Sequence, residues 1–205
     1  MPRRIIILRH GEKHDAYRLC STGALRSLAL VTKYLGKGAR ESLFMDGPPA
    51  AFFAITLHTL ELIGPIAATW NLPVRMYAAL PEPNDDAHGA ELDQRTLEAA
   101  ADALYNPAWD DKTIVMVWEH KRIASRTRTP TLRKLLNLNR RGLKVPTMWK
   151  EENYDFFWIV DYANKRYPKR PTRFRRRKQE FDAPFKNVPA NRWGKAATLP
   201  ADCKG

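Results

Sequence analysis

The sequence predicts an α/β fold, a three-layer sandwich around a mostly parallel central sheet. Two observations carry this reading. Short continuous apolar runs, the pattern of strands buried on both faces, recur between residues 4 and 162. Longer stretches with apolar residues at helical spacing lie between them, so strands and helices alternate.

The elements follow in order. "RIIILR" (4–9) is a β-branched run and the first strand. Ser21 and Thr22 are N-cap candidates for a helix with Leu25, Leu28, Ala29, Thr32 and Leu35 on one face, stopped by Gly36. "PPAAFFAIT" (48–56) is a second strand. Residues 57–70 form an apolar helix that Pro65 must bend. "PVRMYAAL" (73–80) is a third strand, and "PEPNDDAHG" (81–89) has the chemistry of a loop. Glu91 to Leu104 is a helix with Leu92, Thr96, Ala99, Ala100 and Ala103 on one face. "KTIVMVWEH" (112–120) is a fourth strand, "TPTLRKLLNLN" (129–139) a short amphipathic helix, and "YDFFWIVDY" (154–162) a closing strand. Residues 1–164 are expected to form the α/β domain. Residues 165–205 are expected to be a basic, proline-containing extension, wrapped on it in extended form.

Composition narrows the classes. Of 205 residues, 44% are hydrophobic and 28% charged, which excludes disordered and fibrous chains. No apolar run approaches the roughly 18–20 residues of a membrane helix, and the start turns charged too soon for a signal peptide. The expected location is therefore the cytoplasm. Cys20 and Cys203 lie far apart, so neither a disulfide framework nor a zinc site is expected. The net charge of +13 is concentrated: residues 121–178 hold 19 Lys and Arg against 4 Asp and Glu. An anionic partner fits, either a phosphorylated substrate or a polyanion, and a plain solvated basic face fits as well. Nucleic acid is not favoured, because no nucleic-acid module is recognisable, and no membrane partner is expected.

Ligands of such sheets bind beyond the carboxyl ends of the strands. Two strands end there in histidine, His10 and His120, and so belong on the same edge. His10 is flanked by Arg9 and Gly11. Neutral imidazole is a nucleophile. Arginine offers a planar fork of donors to phosphate oxygens, and glycine lets backbone N–H groups approach a ligand. The combination suits phosphoryl transfer.

"LRHGE" resembles the signature of the histidine phosphatase superfamily, the phosphoglycerate-mutase-like fold. "VMVWEH" resembles the strand that carries the family's second histidine, and "STGALRSLAL" looks like the opening of its first helix. "LHTLELIGPIA" lies where the family has R-A-x-x-T-A. The resemblance covers roughly residues 4–123. It implies a cofactor-independent phosphohydrolase, with His10 as nucleophile, Arg9 gripping phosphate and His120 stabilising its charge. The implied substrate is a phosphorylated small molecule or a phosphoprotein. A mutase would need a pocket for a diphosphorylated cofactor, and no motif supplies one. The proton donor would be an acid after the third strand. Glu82 matches best, with Asp85, Asp86 and Glu12 as substitutes. His58 stands where the family has a second arginine, as a pH-dependent phosphate ligand or as a helix histidine, and Lys121 replaces a common glycine. Two readings follow. The pocket is rebuilt with His58, Lys121 and Arg126 or Arg128, or it has decayed and the basic region binds a polyanion or protein partner. His14 and His88 are placed in polar loops without a role. No short-range ligand pair such as H-E-x-x-H suggests a metal site.

Overall fold

The computed structural model describes residues 1–81, 85–162, 169–196 and 198–204, and of Asp85 the backbone alone. Its strands are β1 (Arg4–Arg9), β2 (Pro49–Ala54), β3 (Val74–Met76), β4 (Thr113–Trp118), β5 (Phe156–Asp161) and β6 (Arg173–Lys178). Its helices are α1 (Ser21–Leu30), α2 (Leu57–Thr69), α3 (Asp85–Tyr105), α4 (His120–Ile123) and α5 (Leu132–Leu135). Among the described residues the strands form one sheet in the order β3-β2-β4-β1-β5-β6. The first four are parallel to their neighbours, and β5 and β6 add an antiparallel edge. The result is the expected mostly parallel sandwich.

The strand periodicity of two divides the core into two layers. Ile5, Ile7, Ile114, Met116 and Trp118 face one side, with α3 to α5. Ile6, Leu8, Val115 and Val117 face the other, against residues of α2 such as Leu62 and Ile66. Helix α1 packs on α2 in that second layer. β4 lies between β2 and β1, so the carboxyl ends of β1 and β4 are immediate neighbours.

Helix α1 departs from expectation. Leu25 and Leu28 are exposed, whereas Thr22, Arg26, Ser27 and Ala29 are buried. The predicted apolar stripe is thus rotated, because a buried ion pair of Arg26 turns a charged side chain inward. The N-cap is Cys20 rather than Ser21 or Thr22. The last turn, Val31–Leu35, widens so that the Gly36 N–H donates to the Val31 carbonyl at 3.2 Å. Helix α3 begins at Asp85, so Asp86 and His88 lie on a helix rather than in a loop. Carboxylates at a helix N-terminus oppose its positive dipole end, which favours starting the helix there. Strand β3 and helix α5 are shorter than predicted, and His120 opens α4 instead of ending β4.

The basic run 173–178 forms an edge strand, and much of it is engaged within the fold. Arg175 pairs with Asp161, Arg177 with Glu41, and Arg176 lies over the Trp193 ring at 4.6 Å. An arginine-rich edge also resists pairing with another chain. Beyond it the chain crosses the carboxyl ends of the strands. The Gly194 N–H donates to Asn153 at 2.6 Å and the Lys204 N–H to the Lys13 carbonyl at 2.7 Å.

The expectation of unpaired cysteines fails, because Cys20 and Cys203 form a disulfide that ties the chain end to the start of α1. The sequence separation of 183 residues hides a proximity that only the wrapped tail creates. A crosslink closing so long a loop restricts the unfolded chain strongly. Thermal melts should show reductant, or Cys203→Ser, lowering stability by about 2–5 kcal/mol. The Cys203→Ser protein should not respond further to reductant.

Candidate active site

The site starts from strand register. Arg9 pairs across β1 and β4 with Trp118, and the His10 N–H donates to the Trp118 carbonyl at 3.3 Å. The residues after each strand, His10 and Gly11 on one side and Glu119 and His120 on the other, therefore emerge together. The two imidazole rings are 6.2 Å apart.

His10 is fully buried. Its Nδ1 lies 2.7 Å from the Gly11 carbonyl, an acceptor, so Nδ1 carries the proton. The lone pair is then on Nε2, which accepts from Arg9 Nε at 3.2 Å. Burial holds the His10 pKa well below the usual histidine value; Glu119 opposes this and the Arg9 charge adds to it. His120 is likewise pushed down to about 3, by burial first and then by the Arg9 charge. Both rings are neutral at neutral pH. Both ring nitrogens of His120 are buried without a hydrogen-bond partner among the described residues, and so can serve a ligand.

His58 also reaches the cluster, 4.7 Å from the His10 ring centroid in edge-on geometry. The Thr56 capping box positions it at the start of α2. Its Nε2 is engaged at 2.6 Å by Glu119, and its Nδ1 faces the Ala16 carbonyl at 3.3 Å. Glu119 is the residue the sequence reading did not promote. Its other oxygen lies 3.5 Å from His10 Nε2. Burial alone would raise the Glu119 carboxyl. The His10 ring, the hydrogen bond from His58 and the Lys13 charge together hold it well below the usual carboxylate range. The available signal was a charged residue at the carboxyl end of an otherwise apolar buried strand.

Glu12, a substitute in the sequence reading, is engaged elsewhere. It is fully buried, and Arg26 takes both its oxygens, Nε to Oε2 at 2.9 Å and Nη2 to Oε1 at 2.6 Å. Arg26 also reaches Gln179 and the Pro189 carbonyl. This pair pins the loop after β1 to α1. Gly23 permits the approach, since a Cβ there would lie 2.1 Å from the Glu12 carbonyl oxygen.

A cavity of about 440 Å³ opens over Arg9, Lys13, His120, Lys121 and Tyr154, walled by Ala196 and Leu199 of the chain end. A second, of about 310 Å³, shares His120 and Lys121 with it and extends to Arg128 and Trp149. Tyr154, missed in the sequence, stacks under the Arg9 guanidinium at 3.8 Å from its ring centroid. Lys121 and Arg128 thus line the site's surroundings, whereas Arg126 is exposed and donates to Thr147. Glu82 and the Asp85 side chain lie outside the described residues, and Asp86 is exposed on α3. His14 is exposed and faces the Asp202 carbonyl, and His88 faces that of Leu80.

His10, Glu119 and His120 each bring one ligand atom within 4.8 Å of one another, close enough to share a cation. The Arg9 guanidinium already occupies the His10 lone pair, and the charges of Lys13 and Lys121 bear on the same rings. The surrounding charge suits an anion.

No family model and no curated protein matches the sequence. Solved structures do. The mycobacterial glucosyl-3-phosphoglycerate phosphatase is similar with a TM-score of 0.51 at 16% identity, over 86% of this chain and 98% of that one. Its complex with inorganic phosphate is similar with a TM-score of 0.50 at 17% identity, over 86% of this chain and 96% of that one. The chain shares the α/β fold of these phosphatase structures.

Proposed function

We propose that the protein is a cofactor-independent phosphohydrolase that cleaves a phosphomonoester through a phosphohistidine at His10. One observation carries the reading: His10 is a neutral imidazole whose Nδ1 proton is fixed on the Gly11 carbonyl, which leaves the Nε2 lone pair for attack. Arg9 swings from that lone pair onto the phosphoryl oxygens, and a phosphate oxygen takes a hydrogen bond from His120. His58 and Glu119 both adjoin the His10 ring. The substrate is a phosphorylated small molecule or a phosphoprotein, with Lys13 and Lys121 at the rim adding attraction for an anion.

The second reading, a decayed site in a binding protein, is favoured by the Arg9 contact on His10 Nε2, which blocks attack until it is exchanged for a ligand. A panel of phosphomonoesters, including an aryl phosphate, separates the two. Turnover by the wild-type protein between pH 5 and 8 is the expected result. No turnover of any ester in that range, with binding of polyanions that falls steeply with salt, would establish the second reading instead.

A further inference from the structure

Glu119 conflicts with a simple phosphate cradle. A phosphoryl group poised on His10 Nε2 would have oxygens where the Glu119 carboxylate already lies, 3.5 Å from that nitrogen. Its neighbours hold that carboxyl well below the usual carboxylate range. At such a distance each added negative charge on the phosphoryl group is repelled by the carboxylate. The charged and titratable groups facing Glu119 come from several elements. Arg9 and His10 come from the end of β1, and Lys13 from the loop that follows. His58 comes from α2, and Tyr154 from the segment before β5. His120 and Lys121 are its own neighbours, and Glu12 and Glu151 lie further off, around Arg9. Arg9, Lys13 and Lys121 are the fixed cations, and one of them is offset by Glu119 itself.

We propose that Glu119 makes the site select the monoanionic, protonated form of the phosphoryl group by accepting a hydrogen bond from its P–OH. The inference rests on reading this cleft as a phosphoryl-transfer site. The hydroxyl of a monoanion turns the carboxylate from a repulsive neighbour into an acceptor. A dianion has no proton to offer and meets the carboxylate directly.

The same proton supplies what hydrolysis needs. In the first step the His10 Nε2–P bond forms and the P–O bond to the leaving group breaks. The proton brought in on the phosphoryl group leaves on the alcohol oxygen. In the second step water attacks phosphorus and the P–N bond breaks, returning its electron pair to Nε2. Glu119 takes one water proton and returns it to the product, which departs as the phosphate monoanion. Protons balance without a separate carboxylic acid.

Binding of inorganic phosphate, measured calorimetrically from pH 5.5 to 8.5 in buffers of different ionisation heat, tests the proposal without needing turnover. His10 and His120 are neutral across that range, so neither should contribute a limb. The wild-type protein should bind at least about tenfold more weakly at pH 8.5 than at pH 5.5. At the upper end it should take up close to one proton per phosphate bound. Glu119→Gln should bind better at pH 8.5, with a flattened pH dependence and little proton uptake, because an amide can donate to the dianion. Wild-type affinity that is flat or rises with pH would overturn the proposal. So would a pH dependence that survives in Glu119→Gln but disappears in His58→Gln, or the absence of phosphate binding. Turnover is scored separately. Hydrolysis through His10 without the monoanion preference would sink this inference and leave the phosphohydrolase standing. The preference without turnover would do the reverse.

Discussion

Replacing His10 with alanine should lower phosphomonoester turnover by at least about a thousandfold, because the proposed covalent intermediate forms on its Nε2. His120 is a weak substitute: its ring centroid lies 6.2 Å away, at the start of a short helix rather than at the end of a strand. Binding of inorganic phosphate should survive the change, since Arg9 and His120 remain. The fold should survive as well, because the ring removed packs mainly against His58, His120 and Tyr154. The comparison is made on protein with an unchanged circular dichroism spectrum, by steady-state hydrolysis of an aryl phosphate beside the wild type. Because His10 stays neutral well below the usual histidine range, acidification to pH 5 should not silence the nucleophile.

The second large effect is on stability. Arg26→Met should destabilise the protein by about 3–5 kcal/mol, because Glu12 would remain as a fully buried carboxylate without its partner. Glu12→Leu should destabilise it too, by stranding the guanidinium. The double replacement of Arg26 with Met and Glu12 with Leu should recover part of the loss, since a buried pair exchanged for apolar groups removes both desolvated charges. Denaturant unfolding of the four proteins closes the cycle. Equal stability across them would mean that the pair contributes nothing. Arg26→Met should also impair turnover, because the Glu12 loop carries Gly11 and the carbonyl that fixes the His10 proton.

The sheet was legible because its strands are buried on both faces and read as unbroken apolar runs. The meeting of His10 and His120 was legible for the same reason: both follow such runs, and parallel strands end on one edge. What stayed hidden depends on partners distant in sequence. Arg26 disrupts the apolar stripe of α1, and its partners Glu12 and Gln179 lie 14 and 153 residues away. Helical periodicity therefore points Leu25 and Leu28 inward, although both are exposed. The run "RFRRRK" does not look like a strand, because its partners are acids elsewhere and a tryptophan near the chain end. Cys20 and Cys203 are brought together only by the path of the tail over the domain. Glu119 could be read as a polar strand end, but its contacts with His58 and His10 join residues more than sixty positions apart and follow from register alone.

The proposed role of His10 is tested most directly by trapping the phosphorylated protein. Wild-type protein mixed with a phosphate-labelled aryl ester and quenched within milliseconds should carry label that is lost in acid and kept in base. That label should map to the peptide containing His10. Its formation should be faster than steady-state turnover or equal to it. Turnover that proceeds with no labelled protein, or with label on a peptide lacking His10, would contradict a phosphohistidine mechanism at this site.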